Sequence, residues 1–152
     1  MKLEIEGDER RITLRLLSYW ERKRAGRDMP TEIDINPADI ADLWEYCFLI
    51  HARDVAASGL QFTYIGLAIE EMYRFGLPKD DERDSLHPQL SLLVPAYNEV
   101  VAKKAPHISE WELSNPHGDK LLTRQVLLPL GENGRVDAVF GGLRFLKIIR
   151  YS

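Results

Sequence analysis

Apolar residues recur at helical spacing in the first part of the chain, and charged residues occupy the remaining faces. The apolar residues of this stripe are Ile12, Leu16, Leu17 and Trp20. Asp8 is a suitable N-cap, and Gly26 follows the last periodic residue, where a left-handed C-cap is least strained. The pattern predicts an amphipathic helix from Asp8 to about Ala25, which needs an apolar surface to lie on.

A second, shorter helical pattern begins after Asn36. Asn36 is a favourable N-cap and Pro37 suits the first helical position. Asp39 lies in the first turn, where the helix dipole favours a negative charge. This helix is predicted to continue to about Trp44, so that the two helices form an N-terminal flank over residues 1–45.

Strand patterns follow the flank. Residues 47–53 form a short apolar run, and residues 60–66 alternate between apolar and polar side chains. The apolar positions of the second run are Leu60, Phe62 and Tyr64. Regular alternation places these three side chains on one face of a strand. The two runs predict a hairpin that is joined around residues 57–59.

Helical spacing returns between this hairpin and the C-terminal part of the chain. Residues 67–75 predict one helix, and residues 79–84 form a charged, solvated connector. Residues 87–104 predict a further helical region, in which Pro95 lacks the amide that an uninterrupted ladder requires. We expect a kink or two helices there.

Three more strands are predicted from residue 107 to the end, separated by turn signals at residues 115–119 and at Asn133-Gly134. The Asn-Gly pair is the strongest hairpin signal in the chain. Pro129 is awkward inside a strand and is expected at its end or at a bulge. Gly141 and Gly142 indicate a bend or the close approach of another backbone.

Consecutive strands joined by tight turns imply antiparallel pairing. The same order of elements carries motifs that resemble the PAS superfamily, in its branch of small stand-alone bacterial proteins. The motifs are Tyr19-Trp20, Gly26-Arg27, Met29-Pro30, Asp34-Ile35-Asn36-Pro37, Phe62-Thr63-Tyr64-Ile65-Gly66 before Glu70-Glu71, Leu127-Leu128-Pro129-Leu130, and Gly141-Gly142. The resemblance extends from Leu16 to about Ile148.

This resemblance implies an α+β fold, a PAS-like five-stranded antiparallel sheet with helices on one face and an N-terminal flanking helix. Residues 1–45 would pack as a flank on a PAS-like domain of residues 46–152, as a single folded unit. It further implies a non-enzymatic sensory or signalling module that binds a small metabolite, a signalling protein or both. Because the chain ends about where the fold ends, we expect the output to be contact with another polypeptide.

Composition and charge do not favour several other classes of protein. The formal net charge of −4 gives no long-range attraction to nucleic acid, and no apolar window has the length of a membrane-spanning helix. Cys47 is the only cysteine, so no intramolecular disulfide forms, and residues 2–10 lack the apolar run of a secretory signal. We therefore expect a cytoplasmic protein that neither enters membranes nor binds nucleic acid.

No catalytic or metal-binding motif is present in the sequence. The histidines, which show no metal-ligand spacing, are His51, His87, His107 and His117. Cys47 lies in an apolar strand and is interpreted as a buried structural thiol. Flavin-binding PAS light sensors carry an Asn-Cys-Arg motif that is absent here, and His87 alone does not indicate haem. The cofactor is left unknown, with haem and flavin not expected.

The space between the sheet and the helices is the candidate ligand site. Its predicted lining is Phe48, Phe62, Tyr64, Met72, Tyr97 and Trp111. Buried tyrosine hydroxyls need hydrogen-bond partners, which a ligand can supply. Arg124 is a further candidate, because a cation in an apolar strand either points to solvent or meets an anion. The alternation pattern leaves open which of these two applies.

Two alternative functions remain open. A cone-shaped enzyme or carrier that resembles ketosteroid isomerase would need a buried acid, and Asp137 and Glu112 are the strand carboxylates available. Alternation predicts that both face solvent. A nucleic-acid-binding protein would use the basic side of the first helix.

Assembly as a homodimer is the last expectation. The final strand is apolar on both alternation sets, so it requires cover on both faces, and helices between the strands supply only one. Ile12, Leu16 and Trp20 of the first helix are therefore expected at a dimer interface or on the outer sheet face.

Overall fold

The computed structural model describes residues 8–51, 61–73, 94–114 and 120–149. The longer elements are α1 (Asp8–Arg24), β1 (Cys47–His51), β2 (Gln61–Ile65), α2 (Leu67–Tyr73), α3 (Val94–Lys103), β3 (His107–Ser114), β4 (Lys120–Glu132) and β5 (Arg135–Ile149). Short 3₁₀ helices occupy Glu32–Asp34, Pro37–Ile40 and Trp44–Tyr46. The predicted turns at residues 57–59 and 115–119 and the connector at residues 79–84 lie outside the described residues.

The N-terminal helix ends as its sequence predicts. Ala25 and Gly26 take left-handed conformations with φ of 48° and 83°, which reverses the chain after Arg24. Arg27 then donates through its guanidinium to the carbonyls of Arg24 and Lys23, at 2.9 and 2.6 Å. These bonds satisfy carbonyls that the end of a helix leaves without partners.

The Asn36 cap is confirmed, but the helix that follows it is shorter than predicted. Asn36 accepts a hydrogen bond from the amide of Ala38 at 3.1 Å, and Pro37 begins the helix. The predicted helix to Trp44 is a 3₁₀ helix that ends at Ile40, followed by a turn over residues 41–43 and a second 3₁₀ helix from Trp44. Ile40 and Leu43 both reach the same apolar cluster.

The five strands form one antiparallel sheet in the order β2-β1-β5-β4-β3. The predicted α+β fold with a five-stranded antiparallel sheet is therefore confirmed. Asn133 and Gly134 have φ of 56° and 73°, so both central residues of the β4–β5 turn are left-handed. This is the backbone that a two-residue hairpin with the right-handed strand twist requires.

Helices cover both faces of the sheet. On the outer face, defined as the α1 side, the buried cluster includes Leu16, Trp20 and Phe140. On the inner face, defined as the side of α2 and α3, the buried cluster is Phe48, Ile50, Ile69, Tyr97, Val100, Leu127, Val139 and Leu143. The prediction that β5 needs cover on both faces is confirmed, and the outer cover comes from the same chain.

Pro129 lies inside β4, at a point where β5 is its one partner among the described strands. It pairs with Val139 of β5, whereas the pairing with β3 stops at Leu127. Its missing amide therefore removes no bond to β3. A register irregularity follows at Leu130 and Gly131, close to the predicted bulge.

At Gly141 and Gly142 side chains make the closest approach, and the backbone carbonyls of Val126 and Tyr46 are also near. A Cβ at Gly141 would overlap the ring of Phe48, and a Cβ at Gly142 would overlap Leu16. The two glycines thus admit a large side chain on each face of β5. Pro95 lies in the first turn of α3, where its missing amide is tolerated.

Candidate functional site

The inner face of the sheet brings three predicted ligand-site residues into one cluster. Phe48 of β1, Phe62 of β2 and Tyr97 of α3 belong to it, with Phe62 partly buried. The rings of Phe48 and Phe62 meet edge to face, with centroids 5.9 Å apart and planes at 67°. Ile50 lies opposite Phe62 across the strand pair and continues the apolar surface.

Tyr64 lies on the other face of the sheet, contrary to its predicted place beside Phe62. The pairing of β1 with β2 shifts so that Leu49 is opposite Tyr64 but Ile50 is opposite Phe62, which makes Thr63 an extra residue. This bulge reverses the alternation between Phe62 and Tyr64. Sequence alternation alone carries no signal for such an extra residue.

On the outer face Tyr64 is held by aromatic packing and a hydrogen bond. Its ring stacks on Trp44 with centroids 4.4 Å apart, and its hydroxyl donates to the Trp44 carbonyl at 2.8 Å. Burial raises the pKa of the Tyr64 hydroxyl. Its polar end is therefore already satisfied within the protein.

Tyr97 directs its ring into the inner-face cluster and is only 3% exposed. Its hydroxyl donates to the carbonyl of His51 at 3.4 Å, a long bond. Burial raises the pKa of this hydroxyl, so it remains protonated and able to donate at neutral pH. Tyr97 thus closes one side of the cluster while keeping a hydroxyl near the end of β1.

Gln125 is a buried polar residue of the inner face that the sequence reasoning missed. It is 2% exposed and stands in a row between Ser109 of β3 and Leu143 of β5. Its Nε2 donates to the Ser109 Oγ at 2.9 Å, whereas its Oε1 is buried and has no hydrogen-bond partner in the described part of the chain. Thr123, fully buried, lies two residues earlier on the same side of β4.

The sequence around Gln125 shows why it was overlooked. Residues 126–130 of β4 are apolar on both alternation sets, because both sheet faces are covered. No hydrophobic contrast therefore distinguished the face of Arg124 from the face of Gln125. Arg124 is charged and therefore the more conspicuous of the two, although the neutral Gln125 is the residue that faces inward.

Arg124 lies on the outer side, since it shares its side of β4 with Val126 and Leu128. Its guanidinium pairs with Glu110, the residue opposite it on β3, with 3.0 Å between Arg124 Nε and Glu110 Oε1. The anion that the sequence left unspecified is thus a carboxylate of the same chain. Arg124 does not join the inner-face cluster.

The remaining predicted lining residues are described only in their backbones. Met72 belongs to α2, and Trp111 is paired in register with Thr123, but the side chains of both lie outside the described part of the structure. His87 and His117 lie outside the described residues altogether.

The sequence predicts a structural thiol at Cys47 and contains no metal-ligand spacing. Cys47 is buried against the carbonyl of Leu43, with 3.3 Å between Sγ and O, and burial raises its pKa. A thiol in this state is protonated and poorly nucleophilic, as expected for a structural cysteine. Within the described ranges no group of three or more potential ligands could hold a metal ion.

The acids required by an isomerase-like enzyme are on the surface. Asp137 forms an ion pair with Arg135 and its side chain is 41% exposed. Glu112 pairs with Lys120 and is 48% exposed. Both face solvent, as alternation predicts, so neither supplies a buried acid to the inner face.

The basic residues of the N-terminal segment are largely neutralised by the chain's own acids. The pairs are Arg15 with Asp42, Lys23 with Asp39, Arg24 with Glu21, and Arg27 with Asp34. A nucleic-acid arm would need free cations, so this geometry does not favour one. None of the helices in the described ranges has the length and apolar character to cross a bilayer.

Two open clefts lie away from the inner face. A cleft of about 490 Å³ separates residues 26–29 from the β4–β5 turn at residues 131–134. A groove of about 290 Å³ lies on the outward side of α1, bordered by Leu14, Arg15, Ser18, Arg22, Asp39 and Ile40. Neither contains a predicted ligand-site residue.

Comparison with known proteins adds one finding. A protein-family model described as a PAS domain matches residues 9–144, a range that includes α1 from Glu9 onward, β1 to β4, and β5 as far as Arg144. No curated protein sequence matches the chain.

Proposed function

The chain belongs to the PAS domain family, and we propose that it is a non-enzymatic sensory module that binds a small ligand on the inner face of its sheet. PAS domains are in general sensory, ligand-binding modules without catalytic activity. The observation that carries the proposal is the aromatic cluster of Phe48, Phe62 and Tyr97 between the sheet and α3. An apolar surface of this kind, with few polar groups, is typical of small-molecule sites.

Transmission of a signal across the sheet is supported by two adjacent glycines. Phe48 contacts Gly141 on the inner face, and Leu16 of α1 contacts Gly142 on the outer face. A ligand that displaces the Phe48 ring would therefore move backbone that α1 packs on directly. Because packed surfaces resist continuous deformation, we propose that α1 shifts and presents the output to a protein partner.

The homodimer is also a proposal. Ile12, Leu16 and Trp20 are at most 3% exposed and pack on the outer face of their own sheet, so they are not free for a partner. A dimer contact through α1 would use its outward side, where Leu14 is 57% exposed beside the 290 Å³ groove. Leu14→Glu should then convert the dimer to monomer in sedimentation velocity. A wild-type monomer at all concentrations would contradict the proposal.

We place the protein in the cytoplasm as part of this proposal, because a single buried cysteine suits a reducing compartment. Ligand binding is tested by native mass spectrometry and an absorbance scan of freshly purified protein. An added small-molecule mass that Phe62→Ala removes and Tyr64→Ala retains would support the inner-face site. Visible haem or flavin absorbance would contradict the expected ligand class, and equal loss in both variants would contradict the location.

A further inference from the structure

The inner face contains a hydrogen-bond acceptor without a partner. Only 2% of the surface of Gln125 is exposed. One end of its amide is fixed by the hydrogen bond that Nε2 donates to Ser109 Oγ. The other end, Oε1, meets no donor in the described part of the chain. A buried carbonyl without a partner loses its hydration and gains no hydrogen bond in return, so such groups are rare in native proteins.

From this geometry we propose that Gln125 Oε1 is the polar anchor of the ligand, accepting a hydrogen bond from a neutral N–H or O–H group. This inference rests on the proposed ligand site and names its chemical class. Around the anchor on the inner face, Leu127 and Leu143 are apolar, and Thr123 and Ser109 carry neutral hydroxyls. The ligand is therefore a small, mostly apolar molecule with one donor directed at β4.

The charge of the ligand follows from the buried residues. The buried polar residues of the described chain are Thr13, Thr123 and Gln125, and none carries a charge. An ionic ligand would lose its hydration without meeting a counter-charge, which is far more unfavourable than burial of a neutral donor. Neutral alcohols, phenols and amides fit the site, whereas carboxylates and ammonium compounds do not.

Phenol and anisole are suitable probes, because they share an aromatic ring and differ in the donor. Anisole is the more apolar of the two, so an apolar site that lacked the Gln125 acceptor would bind anisole more tightly than phenol. Titration of the full chain with each probe, followed by two-dimensional amide NMR, gives both affinities and the residues affected. Wild-type protein should bind phenol at least about tenfold more tightly than anisole, since a site with a buried acceptor rejects the analogue without the donor.

Two substitutions remove the anchor in different ways. Gln125→Met keeps the length of the side chain without the amide, and Gln125→Asn keeps the amide but withdraws it by one methylene. Each should reduce the preference for phenol to about twofold or less. If the methionine variant fails to fold, the asparagine variant still decides the question. Gln61→Met, the same replacement at an exposed position of β2, should retain the wild-type preference.

The outcomes separate the anchor from the site itself. Equal affinities for the two probes in wild-type protein, or an unchanged phenol preference in both Gln125 variants, would overturn the anchor while leaving the ligand site in place. If neither probe shifts the amide signals of Val100, Leu127 and Val139, no inner-face site exists. The ligand-binding half of the proposed function then fails together with the anchor.

Discussion

The indole Nε1 of Trp20 donates a buried hydrogen bond of 2.8 Å to the carbonyl of Pro129, 109 residues later in the chain. Pro129 lies beyond the last β3–β4 pair, so no strand among the described residues pairs with that side of β4. Two residues further on, the amide of Gly131 donates to the carbonyl of Pro30 at 2.8 Å. Trp20 and the segment after α1 thus supply the hydrogen bonds that β3 does not.

Replacing Trp20 tests this role. Trp20→Ala should lower the free energy of unfolding by about 3–5 kcal/mol, because it removes a large buried ring from the outer-face cluster. Trp20→Phe keeps most of the ring but leaves the Pro129 carbonyl without its donor, so about 1–3 kcal/mol should be lost. Urea unfolding followed by circular dichroism measures both values.

Arg22→Ala is the control, since Arg22 lies on the exposed side of the same helix. It should change stability by no more than about 0.5 kcal/mol. A Trp20→Ala variant as stable as Arg22→Ala would show that α1 does not cover the sheet. A Trp20→Phe variant as stable as wild type would show that the Pro129 bond contributes nothing.

The adjacent glycines of β5 give a second prediction. Gly141→Ala and Gly142→Ala should each destabilise the fold by about 1–3 kcal/mol, because a methyl group would overlap Phe48 in the first case and Leu16 in the second. Gly141→Ala should be the more harmful, since the Phe48 ring is rigid and the Val126 carbonyl is also close. Thermal or urea unfolding provides the comparison.

A double variant distinguishes overlap from a general effect of alanine in the strand. Leu16→Ala should reduce the further loss caused by Gly142→Ala, because the overlapping atom is gone. The same change should not reduce the loss caused by Gly141→Ala, which faces the opposite side. An additive loss in the Leu16–Gly142 pair as well would show that Gly142 does not receive the Leu16 side chain.

Much of this fold is predictable from sequence. The strands, the Asn133-Gly134 turn and the caps at Gly26 and Asn36 depend on residues whose backbone preferences are local. The need to cover both faces of β5 was also visible, as apolar residues on both alternation sets. Features that depend on contacts distant in sequence, such as Phe48 against Gly141, were not visible.

The candidate site was only partly predictable for the same reason. Phe48, Phe62 and Tyr97 do meet on the inner face, as predicted. Tyr64 does not, because the extra residue Thr63 is a property of strand pairing and leaves no local signature. Gln125 was hidden because both alternation sets of β4 are buried, so the pattern could not assign a face.

Asp34 gives a prediction about pH. Its carboxylate accepts hydrogen bonds from the Thr31 amide at 2.8 Å and hydroxyl at 2.9 Å, and it pairs with Arg27. The Thr31 amide, followed by the Thr31 hydroxyl and Arg27, lowers the pKa of Asp34 below its ordinary value of 3.8. A folded-state pKa below the unfolded value adds stability above pH 3.8, and this contribution is lost as pH falls through the folded pKa.

Asp34→Asn should therefore lower stability by about 1 kcal/mol at neutral pH, the usual size of a lost capping interaction. The difference from wild type should shrink as the pH falls below the ordinary aspartate value. Urea unfolding at a series of pH values measures it, with Asp28→Asn at an exposed neighbouring position as the control. A difference that stays constant down to the most acidic pH would contradict this role of the carboxylate.

The bulge at Thr63 gives the last prediction, because it assigns Phe62 and Tyr64 to opposite faces. Phe62→Leu should weaken the binding of anisole about tenfold, since it removes an aromatic contact on the inner face. Tyr64→Leu should leave this affinity within about twofold, although it removes the Trp44 stack and hydrogen bond and should lower stability. NMR titration measures affinity and urea unfolding measures stability. If Tyr64→Leu weakened binding as much as Phe62→Leu, the two rings would share a face and the bulge would be wrong.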